Sequence, residues 1–143
     1  MIGANDLFMC ESSGSGCTIN GALGRIAANT RQILSAIRRK GGYRGQLALV
    51  NYYSLDYGSL ATTAFSVKLN QAMDSSAKRF HAVIANGFGE LQAAALHSGE
   101  NTCTAGLLTQ LSAGGCGIHP SYAGQALLAQ ALLKVIKLQD RER

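Results

Sequence analysis

Two short stretches of this sequence carry residues whose types and setting could do chemistry. The first is Gly117-Ile118-His119-Pro120-Ser121-Tyr122-Ala123-Gly124. A proline disfavours helical geometry in the residue before it, so His119 is expected in an extended conformation. Pro120 and Ser121 would then open a helix, either as first-turn proline or as cap. This holds an imidazole at a loop-to-helix junction, and histidine is the side chain suited to taking and returning a proton near neutral pH. A lone histidine is more often structural or simply exposed, so position alone does not make His119 a general base.

The second stretch is Gly3-Ala4-Asn5-Asp6. Ile2 followed by this polar turn reads as the end of a buried strand entering a loop. Asn5 would place a neutral amide donor at the mouth of a sheet, where it could stabilise a developing oxyanion. The plain alternative is that Asn5 only forms the turn and Asp6 only caps the segment after it.

The elements that must position these residues can be read from periodicity. Thr18 can cap a helix to about Lys40, with Ile19, Leu23, Ile26, Ile33, Leu34 and Ile37 at helical spacing and Gly41-Gly42 as the stop. Residues 46–53 form a short, mostly apolar run, read as a buried strand, and residues 54–61 a loop. A second helix is expected from about Thr62 to Arg79, marked by Phe65, Leu69, Met73 and Phe80. His81 to Asn86 reads as another short buried strand, Phe88 to His97 as a short helix, and residues 98–118 as loop with one turn near Leu107 to Leu111. The last helix is expected from Ser121 to about Leu138. Short apolar strands alternating with amphipathic helices imply a parallel sheet covered on both faces. Sites in such sheets form at the carboxyl ends of the strands.

Composition bounds the function. The chain has 143 residues, 47% apolar and 15% charged, which fits one folded domain. The net charge of +5 is concentrated in Arg38-Arg39-Lys40 and in Lys134 to Arg143. Both runs lie at expected helix ends, where cations face the negative pole of the helix dipole. No aromatic residues interleave with them, so nucleic acid is not expected as a partner. No run of about 18 apolar residues exists to span a membrane, and the first residues lack a secretory signal.

Cys10 and Cys17 are close in sequence, as are Cys103 and Cys116, and both pairs sit in Gly/Ser/Thr-rich sequence read as loop. Four cysteines allow three connectivities, of which the local one is the simplest. The spacings do not match common zinc ligand sets, so disulfides are favoured over a metal. Disulfides point to an oxidising compartment. Asn86-Gly87-Phe88-Gly89-Glu90 lacks both the dinucleotide glycine spacing and a phosphate-loop lysine, and no cofactor is expected.

Taken in order, Gly-x-Asn-Asp and the later His-Pro-Ser-x-x-Gly before an Ala/Leu-rich helix resemble the SGNH (GDSL) hydrolase superfamily. Gly3, Asn5 and Asp6 resemble its third sequence block, and His119, Pro120, Ser121 and Gly124 its fifth. The cysteine-bearing loops resemble those of secreted actinobacterial esterases and lipases of that superfamily. The resemblance implies an α/β/α three-layer sandwich with a flavodoxin-like parallel sheet, and a serine esterase acting on a small-molecule or lipid ester. It implies His119 as the base and Asn5 as an oxyanion donor, with Gly3 and Asp6 supporting.

Two departures stand out. The family's Gly-Asp-Ser block, which bears the nucleophile, is missing, and Ser12, Ser13, Ser15 and Ser121 are poor substitutes. The aspartate usually found two or three residues before the histidine is replaced by Gly117 and Cys116. A backbone carbonyl is then the expected orienter of His119, with Asp56 as the alternative. Residues 1–143 are therefore expected to be the C-terminal portion of a single SGNH hydrolase-like domain. Its first strands would precede Met1, the missing segment would be a partner, and the full-length parent would be secreted. The alternative is a non-catalytic remnant or binding module on the same scaffold.

Overall fold

The computed structural model describes residues 1–13 and 16–136. Helix α1 spans Ala4–Ser12, and α2 spans Ile19–Ser35 and runs into a π-helical turn, Ala36–Lys40. Strand β1 is Leu47–Val50, α3 Leu60–Lys78, β2 Ala82–Ala85 and α4 Gly87–Ala95, followed by a 3₁₀ turn at Leu96–Ser98. Strands β3 (Leu108–Gln110) and β4 (Cys116–Pro120) lead to α5, Tyr122–Leu133. The expected end of this helix at Leu138 lies outside the described residues.

Side-chain caps mark the helix starts. Thr18 accepts the Gly21 N–H at 3.1 Å, Asn86 accepts that of Gly89 at 3.0 Å, and Ser121 accepts that of Gly124 at 3.3 Å. Each satisfies a donor that the helix itself leaves unpaired. The buried stripe of α2 is Ala22, Ile26, Thr30 and Leu34, one residue per turn. Ile19 and Ile33, expected on that stripe, are each 47% exposed.

Strands β1 and β2 pair in parallel, from Leu47 opposite Ala82 to Val50 opposite Ala85. Two cores lie on the two faces of this sheet. Leu49 packs on the side of α1, α2 and α3, where Leu7, Cys10, Ala22, Ile26, Leu69 and Met73 are buried together. Val50 and Leu128 of α5 flank Gly87 on the other side. There Leu91, Ala95, Leu107 and Leu108 form the second core. The order helix, sheet, helix is the expected α/β/α arrangement. The strands are mostly half-buried, however, with Ala85 the fully buried position of the four in β2.

Two local expectations are corrected. Residues 1–3 form no strand, and Gly3-Ala4-Asn5-Asp6 is the start of a helix, with Gly3 as its N-cap at φ 103°. A Cβ on Gly3 would lie 2.7 Å from Ile26 Cγ2, so left-handed backbone and close packing on α2 both call for glycine. Residues 98–118 are also more ordered than a loop. Strand β3 pairs antiparallel with β4, Leu108 opposite Pro120 and Gln110 opposite Cys116. Their register shift, the short β3 and the connecting Gly114-Gly115 leave no two-residue alternation for a sequence to show.

The disulfides are Cys10–Cys17, with Cα atoms 5.3 Å apart, and Cys103–Cys116, 5.7 Å apart. These are the local pairings. Cys10 is nevertheless a buried helical residue and not a loop one. No helix among the described residues is long and apolar enough to cross a membrane.

Asp74 in α3 has a buried Oδ1 without a hydrogen-bond partner among the described residues. Burial raises its carboxyl above the usual range, while Lys78 one turn on pulls the other way. A raised acid in the folded state binds its proton more tightly than in the unfolded chain. Stability therefore falls as pH rises from the ordinary carboxylate range upward. Asp74→Asn is expected to gain about 1 kcal/mol at neutral pH, with a smaller gain at pH near 4. Urea denaturation at the two pH values checks this, and an equal gain at both would contradict it.

Candidate active site

The ladder between the parallel strands ends at Asn51, whose N–H donates to the Ala85 carbonyl at 3.1 Å. The next two residues, Tyr52 and Tyr53, leave the sheet at its carboxyl end. Side chains alternate in extended backbone, so these tyrosines serve opposite faces. Tyr52 packs against the α1–α3 core and Tyr53 belongs to the α4–α5 core.

Each tyrosine holds one half of the candidate site. The Tyr52 hydroxyl accepts the Ala4 N–H at 3.5 Å, which brings the start of α1, and with it Asn5, to the end of β1. The Tyr53 hydroxyl donates to the Ile118 carbonyl at 2.7 Å, the peptide that joins Ile118 to His119 in β4. Burial raises the Tyr52 phenol, opposed by the Ala4 hydrogen bond and helped by the nearby charge of Asp6. Burial, with a smaller contribution from Tyr52, pushes Tyr53 up to about 12. Both rings are therefore neutral around pH 7.

Helix α3 fixes the tyrosine backbone. Asn70 accepts the Tyr52 N–H on Oδ1 at 2.7 Å and donates Nδ2 to the Tyr52 carbonyl at 2.8 Å. One side-chain amide thus replaces a strand partner for both polar groups of that residue. Ser66, one turn earlier, donates to the Tyr53 carbonyl at 3.0 Å. Both side chains are buried, at 7% and 6% exposure. Sequence reasoning missed them. The available signal was two polar residues at i and i+4 beside the apolar stripe of Leu69 and Met73.

These contacts enclose a cavity of about 760 Å³, lined by Gly3, Asn5, Asp6 and His119 together with both tyrosines, Thr62 and Ser66. Met1, Ile2, Phe8, Phe65 and Leu69 give it an apolar wall. The expected site residues from the two ends of the sequence thus line one cavity, with Asn5 and His119 both exposed. Asn5 arrives on the first turn of a helix and not in a loop after a strand. His119 sits next to last in β4, in the extended backbone that Pro120 favours. Ser121 donates to the Gly106 carbonyl at 2.7 Å, and Gly124 packs so closely on the Leu107 carbonyl that no Cβ would fit.

Asp56, Ser12 and Ser13 lie outside the cavity lining. Among the described residues, no carboxylate hydrogen-bonds the His119 ring. The Asp56 carboxylate instead accepts the Gly58 N–H at 3.0 Å in a local turn. The Ser12 hydroxyl donates to the Phe8 and Met9 carbonyls and that of Ser13 to Cys10, at the carboxyl end of α1, and neither serine lines the cavity. Ser15 lies outside the described residues. Ser66 lines the cavity, with its hydroxyl on the Tyr53 and Thr62 carbonyls. Tyr57 donates to the Phe88 carbonyl at 2.7 Å in the second core. His81 and His97 are exposed and outside the cavity lining. Among the described residues, no group of three or more His, Cys, Asp or Glu could hold a metal ion.

No protein-family model and no curated protein matches the chain. Two solved structures do match in fold. One is described as a "putative GDSL-like lipase" from Parabacteroides merdae ATCC 43184, at TM-score 0.68 and 17% identity. The other is LAE5, an α/β hydrolase enzyme from the metagenome of Lake Arreo, Spain, at TM-score 0.65 and 17% identity. Each match covers 94% of this chain and 56% of the other. The chain therefore has the α/β fold of these hydrolases and spans little more than half of their length.

Asn70→Ala leaves the two polar groups of the Tyr52 peptide without their partner and is expected to cost about 2–3 kcal/mol. Tyr53→Phe loses one hydrogen bond and should cost only about 1 kcal/mol. Chemical denaturation ranks the two, and the reverse order would contradict the role assigned to Asn70.

Proposed function

We propose that this chain carries the oxyanion and base half of an SGNH-type carboxylic-ester hydrolase site. On this reading residues 1–143 are the C-terminal portion of one such domain, and the nucleophilic serine comes from a segment preceding Met1. The observation that carries the reading is that Asn5 and His119 line one cavity at the carboxyl end of the parallel strands. The fold shared with the two hydrolases supports it.

In this mechanism His119 takes the serine proton as the serine oxygen attacks the acyl carbon. The carbonyl oxygen becomes an oxyanion, and the Asn5 side-chain amide donates to it beside backbone N–H groups. His119 then returns the proton to the departing alcohol, and water repeats the sequence on the acyl-enzyme. Gly3 sets the start of α1, and Asp6 supports its first turn, where a carboxylate faces the positive pole of the helix. Such a base needs a fixed ring and tautomer, and among the described residues neither a carboxylate nor a backbone carbonyl hydrogen-bonds the His119 ring. The Phe8, Phe65 and Leu69 wall suits the acyl part of a small-molecule or lipid ester. The two disulfides fit an extracellular full-length parent.

The 143-residue chain alone is expected not to turn over short p-nitrophenyl esters, whereas the chain extended by its natural upstream segment is expected to do so. In the extended protein His119→Ala should cost roughly 10²–10⁴ in kcat and Asn5→Ala roughly 10²–10³. Turnover by the chain alone that His119→Ala abolishes would place the nucleophile within these residues. Folded extended protein with no turnover would favour a binding module on the same scaffold.

A further inference from the structure

The pole of the molecule opposite the cavity is strongly basic. At the amino ends of β1 and β2, the end of α2, its π-helical turn, the loop after it and the end of α3 carry Arg31, Arg39, Lys40, Arg44, Lys78 and Arg79. Arg38 ties these segments, donating to the carbonyls of Phe80, Tyr43 and Gly45. Residues 28–46 contain no carboxylate, and residues 74–81 contain only Asp74.

Within this pole lies an open groove of about 690 Å³ between α2 with its π-helical turn and the turn after α3, walled by Arg31, Gln32, Ser35, Arg39, Lys40 and Phe80. The Arg31, Arg39 and Lys40 side chains make no hydrogen bond or ion pair with any described residue. A helix dipole favours cations in the last turn, so it accounts for Arg31, a turn before the end of α2 at Ser35, less than for Arg39 and Lys40 in the π-helical turn. Eight residues of helix separate Arg31 from Arg39 by about 12 Å. The groove thus presents positive charge at both ends, with a neutral amide, a hydroxyl and one half-buried aromatic ring alongside.

We propose that this groove binds a linear acidic polysaccharide. Such a chain repeats its carboxylate or sulfate charges along one direction, as the cations do here. Its hydroxyls match Gln32 and Ser35, and the apolar face of a sugar ring matches Phe80. A bilayer would engage a flat face bearing apolar side chains. A single-stranded nucleic acid would need a series of aromatic residues for its bases, where this groove has one. The site is remote from the cavity, so the proposal does not depend on the ester-hydrolase reading.

Heparin binding by the 143-residue chain, measured by calorimetry at about 0.15 M salt, tests the proposal. The triple variant Arg31→Gln/Arg39→Gln/Lys40→Gln is expected to bind roughly tenfold or more weakly, with a shallower dependence on salt. The exposed pair Arg39→Gln/Lys40→Gln should shift affinity in the same direction by less. A charge-matched control, Arg25→Gln/Lys68→Gln/Lys134→Gln, should retain nearly the parent affinity. Equal loss in the control would reduce the effect to net charge and overturn the proposal. So would absence of heparin binding, or tighter binding of a single-stranded oligonucleotide or of anionic phosphatidylglycerol vesicles.

Discussion

The arrangement depends on what happens to the chain immediately after β1. Past Asn51 the backbone has no strand beside it, yet two consecutive residues remain extended and largely buried. Their polar groups must be satisfied from elsewhere, and α3 supplies the partners through Asn70 and Ser66. With the backbone fixed, strand alternation sends Tyr52 and Tyr53 to opposite faces. Each hydroxyl then reaches a different distant segment, one bearing Asn5 and the other His119.

The same division runs through the packing. Each face of the sheet has its own core, each core includes one of the tyrosines, and each is accompanied by one disulfide. Cys10–Cys17 closes α1 onto the start of α2, next to the segment that carries Asn5. Cys103–Cys116 ties the start of β4 to the preceding loop, close to His119. Both cross-links are short, so they hold local geometry more than they join the two cores. The halves are joined by the short parallel sheet, the tyrosine pair and buried Ser54, whose hydroxyl meets Thr62 and Thr63 of α3 while its carbonyl accepts from Thr102.

The helices were legible in the sequence because their signals are local: Thr18 as cap, Gly41-Gly42 as stop, and the stripe of Leu69 and Met73. The two parallel strands were legible as short apolar runs. The antiparallel hairpin was not, since its register shift and glycines erase alternation. The start of α1 was misread for a physical reason. A glycine after an isoleucine looks the same whether it ends a strand or turns the chain into a helix. Only the contact with Ile26 decides, and that contact is tertiary. The choice of Asn5 and His119 rests on a family resemblance, and the structure shows that both line one cavity; the positions of Ser66 and Asn70 needed the fold.

Neighbouring tyrosines hold the segments that bear Asn5 and His119 at one cavity. Nuclear Overhauser contacts from the two tyrosine rings in the folded chain test this arrangement most directly. Contacts are expected from the Tyr52 ring to the Ala4 amide proton and from the Tyr53 ring to Ile118 and His119. Tyr53 contacts without any from Tyr52 to Ala4 would mean that the start of α1 is not held at the sheet end, which would contradict the account.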